Sequence, residues 1–489
     1  MKKDIYIIGS GFSALSASCY LAKEGYNVTV LEKNDTLGGR ARQYKKDGFT
    51  FDIGPSWYWM PDVFERFFAD FGKKPSDYYI LDKLSPGYEV YFGENSSLKV
   101  SENLEDIYKM FEKEEKGSAK HLKSFLDSAK ANYEIAVVDV VYKMPGISPL
   151  ELVTTKTVAR VNQFFTTIRK QVRKNIKSPK LIKILEFPVL FLGAKPDNTP
   201  GFYNFMNYAD FGLGTWHPRG GMYKVIEGMV SLASSLGVNF EVNANVEKIL
   251  TDPQNNISGL LVNGKNIDTN LVLSGADYHH TETLLDKSSR QYSEKYWDKK
   301  ILAPSSLLFW VGFDKKIINA SHHTLFFDTD FDLHAKEIYD NPKWPTEPLF
   351  YANFTSMTDV TSAPEGKEAG FFLIPLAPGI EDTEELREEY FHKIIDRFEK
   401  LTNQEVKKSV IFKKSFCVKD FKEEYNSYKG NAYGMASTLL QTAFLRPKIR
   451  SGKVNNLYFT GQLTVPGPGV PPALISGKIA SELIIKKQL

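Results

Sequence analysis

Gly9, Gly11 and Ala14, with a carboxylate following at Glu32, are residue types whose spacing can hold a phosphate-bearing ligand. In Gly9-Ser10-Gly11-Phe12-Ser13-Ala14 the first glycine suits a tight turn, and the second lets the backbone approach a pyrophosphate. Ala14 keeps the next helix close to a sheet, and that helix would point its N-terminal N–H groups and positive dipole end at the phosphates. Glu32 suits a ribose hydroxyl, with Lys33 beside it. The elements around these residues decide what the spacing means. Asp4 to Ile8 is an apolar run of strand length, a helix is expected from the second glycine to about Glu24, and Gly25 ends it. Asn27 to Leu31 resumes a buried strand that delivers Glu32. Strand, helix, strand and acid together form the dinucleotide-binding fingerprint in its proper setting.

Further candidates lie at both ends of the chain. Gly38-Gly39-Arg40 combines a glycine pair, for close backbone approach, with a guanidinium that can pair with phosphate. Gly54-Pro55-Ser56 forms a turn that could lie against a flat ring. No second G-x-G-x-x-G follows, so one dinucleotide is expected, and its electrons come from the substrate. Near the C-terminus, Asn456 to Gly461 reads as a strand ending in glycine, followed by Gln462. The run Pro466 to Pro472, with Gly469, Val470 and Pro471, then opens an apolar helix. Such a helix start aims N–H groups and a positive dipole end ahead of it.

The 489 residues exceed one ordinary core, so two domains are expected. A net charge of +3 is too small to argue for nucleic acid. Two cysteines give no disulfide framework, and Cys19, inside the first helix, reads as a buried apolar residue. His279-His280 and His322-His323 are adjacent pairs whose side chains, on strands, would face opposite ways, so no metal is expected. No signal peptide is expected ahead of a strand that begins near Asp4, and no apolar run reaches the roughly 20 residues of a membrane span.

The glycine pair with its arginine, the Gly54-Pro55-Ser56 turn and the C-terminal P-G-x-G-V-P stretch together resemble the bacterial FAD-dependent carotenoid desaturases, of the phytoene desaturase type. Met206 to Met229, Ser274 to Glu282, Ala363 to Glu368 and Gly430 to Pro447 also resemble that family, so the likeness spans essentially the whole chain. Two positions depart from it. Gly275 stands where asparagine is commoner, and Gln462 where a small or acidic residue is commoner. The resemblance implies an α/β fold with a discontinuous Rossmann-like FAD-binding domain, of the glutathione-reductase and amine-oxidase kind. That domain is placed at 1–74, 219–283 and 429–489, and an interleaved α+β substrate and membrane-contact domain at 75–218 and 284–428. Gly237 to Val242 and Val246 to Ile249 read as paired strands, and the resemblance implies that Val246 touches the adenine through its backbone. The activity implied is desaturation of phytoene to more conjugated carotenes, lycopene above all. Alternatives on the same scaffold are a hydroxycarotenoid or C30 desaturase, a carotenoid oxygenase, a carotene isomerase, or a non-catalytic lipid carrier.

A polyene substrate turns attention to Val158 to Ile176. On a helical wheel Val158, Val161, Phe164, Phe165, Ile168, Val172 and Ile176 share one face, with Arg169, Lys170, Arg173 and Lys174 on the rest. Such a helix either packs on its own core or docks on a bilayer with a basic rim. A hydrocarbon that must leave a bilayer favours docking through about 158–192 on the cytoplasmic face, with Phe187 to Leu192 as the entry mouth. Tyr208, Trp216 and Tyr433 are candidates for the substrate tunnel, or equally core aromatics. The sequence offers no basis for naming a catalytic acid or base, and it sets no oligomeric state.

Overall fold

A computed structural model describes residues 3–488. Five parallel strands form one sheet, in the spatial order Leu457–Phe459, Val272–Ser274, Asp4–Ile8, Asn27–Leu31, Asn239–Glu241. Ile5, Ile7, Val28, Val30, Val272 and Leu273 are wholly buried, as a parallel sheet covered on both faces requires. The helix Phe12–Lys23 follows the first strand and packs on the C-terminal helix Val470–Gln488. Gly477 makes that contact possible, since a Cβ there would lie 2.3 Å from the Ser13 carbonyl oxygen. Ser16 Oγ donates to the Leu474 carbonyl at 2.7 Å across the same interface. The two ends of the chain thus meet beside the fingerprint.

The strands expected to pair with each other do not. Asn239–Glu241 adds to the edge of the parallel sheet, while Val246–Thr251 pairs antiparallel with Ile257–Val262. Asn243 adopts φ +54° between them, a left-handed turn that sends the chain from one sheet to the other.

The second large sheet has seven strands, in the order Val410–Phe416, Ser305–Phe313, Glu368–Leu376, Phe350–Asn353, His323–Phe326, Tyr88–Gly93, Ser96–Val100. All its pairs are antiparallel except His323–Phe326 with Tyr88–Gly93. Phe391, Ile394, Ile395 and Phe398 of the helix Glu384–Thr402 join the buried cluster on one face. On the other face, register places Leu308, Leu373, Tyr351 and Leu325 side by side across four strands. Cross-strand partners share a face of the pleat, so this row acts as a unit.

The single amphipathic helix expected over 158–176 is broken. Thr155–Val158 is a short turn of helix, Val161–Phe164 is 3₁₀, and Thr167 caps a new helix, Ile168–Asn175. Arg160, at φ −119° and ψ 14°, interrupts the first join. Ile168, Val172 and Ile176 are buried, whereas Val158, Val161 and Phe165 are exposed, so the apolar set does not share one face. The basic set is also divided. Arg173 holds the buried Glu186 through two bonds of 2.8 and 3.1 Å, and Arg169 pairs with Asp332, leaving Lys170 and Lys174 exposed. Among the described residues, no helix is long and apolar enough to cross a membrane.

Candidate functional site

A single continuous cavity of about 890 Å³ runs from the fingerprint turn to the seven-stranded sheet. At its first end Gly9 takes φ +86°, the left-handed conformation that lets the chain turn from strand into helix. A Cβ built on Gly11 would meet nothing within 4 Å, so the backbone there faces open groove. Gly39 lies across from it, where a Cβ would come 3.2 Å from Gly11 Cα. Phe12, Lys33 and Val246 line the same end.

Glu32 is buried and its carboxylate gathers four donors. Ser10 N–H and Ser10 Oγ reach Oε2 at 3.0 and 2.6 Å, and Asn34 N–H and Nδ2 both reach Oε1 at 3.0 Å. Ser10 Oγ in turn accepts from Gly38 N–H at 3.0 Å. Ser10 therefore ties the fingerprint turn to both the acid and the glycine pair. A ribose diol approaching Glu32 competes with the Ser10 hydroxyl and the Asn34 amide for the same lone pairs.

Arg40 lines the cavity, and burial lowers its pKa, countered by the Asp277 carboxylate. Its Nη2 donates to Ser427 Oγ at 3.2 Å, while its Nε is buried without a partner. A buried guanidinium N–H left unpaired beside an open groove suits an anion. Gly54 passes so close to Arg40 that a Cβ would lie 2.4 Å from the Arg40 carbonyl oxygen, which seats Pro55 and Ser56 on the cavity wall.

From the far side Gly461, Gln462, Gly469, Val470 and Pro471 reach the cavity. Gly461 adopts φ +109° and gives its N–H to Ser476 Oγ at 3.0 Å; Gly469 adopts φ +113°. The helix start offers fewer donors than expected. Pro471 and Pro472 have no N–H, and Ala473 N–H bonds the Gly469 carbonyl at 3.0 Å, so Val470 carries the one N–H of the first three helical residues. The dipole end remains.

The other end of the cavity is apolar. Phe187, Phe191, Leu308, Leu325 and Leu373 face it, with Phe327 beyond. Phe187–Leu192, expected as an entry mouth, is an inner wall: Phe187 packs 5.8 Å from Trp57 and 5.6 Å from Tyr88. Of the three tunnel candidates, Tyr433 lines the cavity. Tyr208 instead packs on Tyr133 at 5.4 Å, and Trp216 is bound through its Nε1 to the Leu213 carbonyl at 2.9 Å, both away from the cavity.

Sequence reasoning missed a polar group on this wall. Tyr351 OH lies 3.0 Å from Ser56 Oγ and 2.6 Å from His323 Nδ1, and His323 stacks on Trp57 at 4.1 Å. The histidine pairs were also misplaced. His279 and His280 sit in the helix Tyr278–Thr283, and His322 precedes the strand that starts at His323, leaving the two rings 4.5 Å apart rather than on opposite faces. The pattern of strand His323–Phe326 held no signal that would have joined it to Tyr351, because the pairing is between strands distant in sequence.

An open groove over Gly11, an unpaired buried guanidinium N–H, a buried acid and an adjoining flat-walled apolar chamber fit an FAD beside an apolar substrate. The family described as flavin containing amine oxidoreductase matches residues 12–485. The chain is 41% identical over 492 residues to the carotenoid 3,4-desaturase of Haloarcula japonica, covering 99% of this chain and 98% of that one. It is 32% identical over 506 residues to a 4,4'-diapophytoene desaturase (4,4'-diaponeurosporene-forming) of Staphylococcus aureus, with the same coverages. Among solved structures, a putrescine oxidase variant superposes with a TM-score of 0.64 at 12% identity, covering 100% of this chain and 99% of that one. That last likeness concerns the fold alone.

Proposed function

The chain belongs to the flavin-containing amine oxidoreductases and, among them, to the carotenoid desaturases, and from that premise we propose which bond it oxidises and how substrate reaches it. It is an FAD-dependent oxidoreductase acting on CH–CH bonds. Bound FAD supplies the acceptor for the hydride that leaves a saturated carbon. The protein's part is to hold the cofactor, bury the polyene and exclude water.

The substrate we propose is an acyclic carotenoid, oxidised at a CH–CH bond adjoining its conjugated chain. The apolar floor of Leu308, Leu373 and Leu325, continuous with the fingerprint groove, carries this reading. A hydrocarbon offers no hydrogen-bonding handle, so affinity comes from burial at about 25 cal/mol per Å² and specificity from the chamber's length and shape. The 41% identity to a carotenoid 3,4-desaturase favours extension of an already conjugated chain near its end. Conversion of phytoene to lycopene is the second reading, supported by the resemblance of the segments around the site. We place the division of the chain at 1–74, 219–283 and 429–489 for FAD, with the rest for substrate.

Docking on the cytoplasmic face of a membrane is part of the same proposal, with a different surface from the one the helical wheel suggested. Leu440, 77% exposed, also lines the cavity, as do the exposed Leu439 and Leu445. Phe165, 80% exposed, follows Phe164, whose ring lines the cavity and stacks on Phe202 at 4.7 Å. Apolar side chains around an apolar mouth suit contact with a lipid surface.

Expression in bacterial hosts that accumulate phytoene, lycopene or C30 diapophytoene separately, with chromatography of the pigments, tests the reading. Conversion of lycopene to a redder carotenoid supports end-of-chain desaturation, and colour from phytoene supports the second reading. Flavin-loaded protein that leaves every carotenoid unchanged would contradict both and return the chain to a carrier.

A further inference from the structure

The row that floors the cavity is apolar at Leu308, Leu373 and Leu325 and polar only at Tyr351. The bonds around that hydroxyl have a determinable direction. Asn353 Nδ2 lies 3.1 Å from the His322 carbonyl, which only accepts, and Asn353 Oδ1 accepts from Thr355 Oγ1 at 2.7 Å, so the amide orientation is fixed. The same Nδ2 lies 3.3 Å from His323 Nδ1. An amide N–H only donates, so His323 Nδ1 carries a lone pair and its proton is on Nε2, which is buried without a partner. With Nδ1 as acceptor, Tyr351 donates its single proton to it at 2.6 Å, sharing the lone pair with the longer Asn353 contact, and Ser56 Oγ donates to Tyr351 at 3.0 Å. The phenol oxygen is left with electron density on the cavity wall and a base behind it.

Beyond His323 the ring of His322 lies 4.5 Å away, and His322 Nδ1 is 2.6 Å from Thr358 Oγ1. Thr358 is exposed, so His322 is linked to solvent, whereas His323 Nε2 makes no hydrogen bond to it.

We propose that Tyr351 accepts the proton the carotenoid loses when its CH–CH bond is oxidised, while passing its own hydroxyl proton to His323. This rests on the desaturase reading. One C–H bond breaks with its electron pair, which leaves with the hydrogen as hydride and reduces the flavin by two electrons. The neighbouring C–H gives its proton to the Tyr351 oxygen, and its electron pair becomes the new π bond. The Tyr351 proton moves to His323 Nδ1, leaving an imidazolium that gives the proton back through Tyr351 to water entering the cavity once product leaves. Burial and then the nearby His217 push the His323 imidazolium well below its ordinary pKa, but the intervening carbocation is allylic and strongly acidic, so a phenol backed by this neutral imidazole is base enough. Tyr351 is the catalytic residue and His323 the positioning residue behind it.

Single-turnover formation of product from carotenoid delivered in phosphatidylcholine vesicles tests the proposal. Tyr351→Phe keeps the ring and removes only the oxygen. It should slow product formation at least ~100-fold, the lower range for general base catalysis, with flavin content and carotenoid affinity within about twofold of wild type. His323→Gln should slow it at least ~10-fold, and carries the test should Tyr351→Phe fail to fold. A substrate-free readout is histidine ¹⁵N NMR of the flavin-loaded protein, which should show His323 unprotonated at Nδ1 and protonated at Nε2. A rate within about threefold of wild type in the folded Tyr351→Phe variant, or a proton on His323 Nδ1, would overturn the proposal. If wild type turns over no carotenoid, the desaturase reading fails and takes this proposal with it. Turnover by wild type and by Tyr351→Phe alike defeats the proposal alone.

Discussion

A Cβ built on Gly275 would lie 2.8 Å from the Cβ of Ala14. The two positions share space for one methyl group between the fingerprint helix and the loop after Val272–Ser274, and here Ala14 fills it. The glycine that departs from the resembled family is thereby explained by packing. Gly275→Ala should destabilise the protein by about 1–3 kcal/mol through overpacking, and Gly275→Asn by at least as much. Ala14→Gly in the same chain should recover most of the loss. A double-mutant cycle by thermal or urea unfolding checks this, and additive effects would refute the shared space.

Glu32 organises the first end of the cavity from both of its oxygens. Glu32→Ala leaves the Ser10 and Asn34 donors without their acceptor and removes the proposed partner of the ribose. Loss of a charge-assisted hydrogen bond of about 1.5–3 kcal/mol corresponds to flavin binding weakened roughly tenfold or more. The ratio of flavin absorbance to protein after purification and dilution measures it. Full retention would show that Glu32 serves the apoprotein only.

The surface proposed for docking separates from the stabilising charges nearby. Serine at Phe165 and Leu440 together should weaken sedimentation with liposomes at least ~3-fold while leaving the melting temperature unchanged, because both side chains are exposed. Arg173→Gln should do the reverse. It strips two bonds from the buried Glu186 and should cost about 1–3 kcal/mol, with little change in liposome binding. Swapped outcomes would restore the basic helix as the membrane contact.

Asp210 gives stability a pH dependence. It is buried against Tyr88 OH at 2.8 Å, and burial pushes its carboxyl up to about 8 from the ordinary 3.8. Between these values the folded protein holds a proton that the unfolded chain has released. The contribution is complete below the unfolded value and is lost as pH rises toward the folded one, by about 1.4 kcal/mol per pH unit. Asp210→Asn cannot ionise, so its melting temperature relative to wild type should rise by about 2 °C per pH unit between pH 5 and 8. A constant difference across that range would show that Asp210 does not titrate there.

Much of the cavity's first end was legible in the sequence because it is written in short local spacings. Gly9, Gly11, Ala14, Glu32 and the Gly38–Arg40 triplet each act through the turn they sit in. The apolar end was not legible, for a physical reason. Its floor is one residue from each of four strands, and only register brings Leu308, Leu373, Tyr351 and Leu325 together. Family likeness pointed to Tyr208 and Trp216, yet neither reaches the cavity. The helical wheel over 158–176 failed because it assumed a continuous helix. Arg160 and Thr167 break that stretch, and the periodicity of its apolar residues records two different surroundings.

The central claim is that this cavity brings a carotenoid CH–CH bond to bound flavin. Anaerobic mixing of flavin-loaded protein with vesicles carrying an acyclic carotenoid tests it most directly, by following flavin bleaching and the carotenoid spectrum together. The account predicts that each flavin reduced is matched by one new conjugated double bond, without NAD(P)H. Bleaching without a change in the carotenoid, or a carotenoid change with the flavin still oxidised before air is admitted, would contradict it.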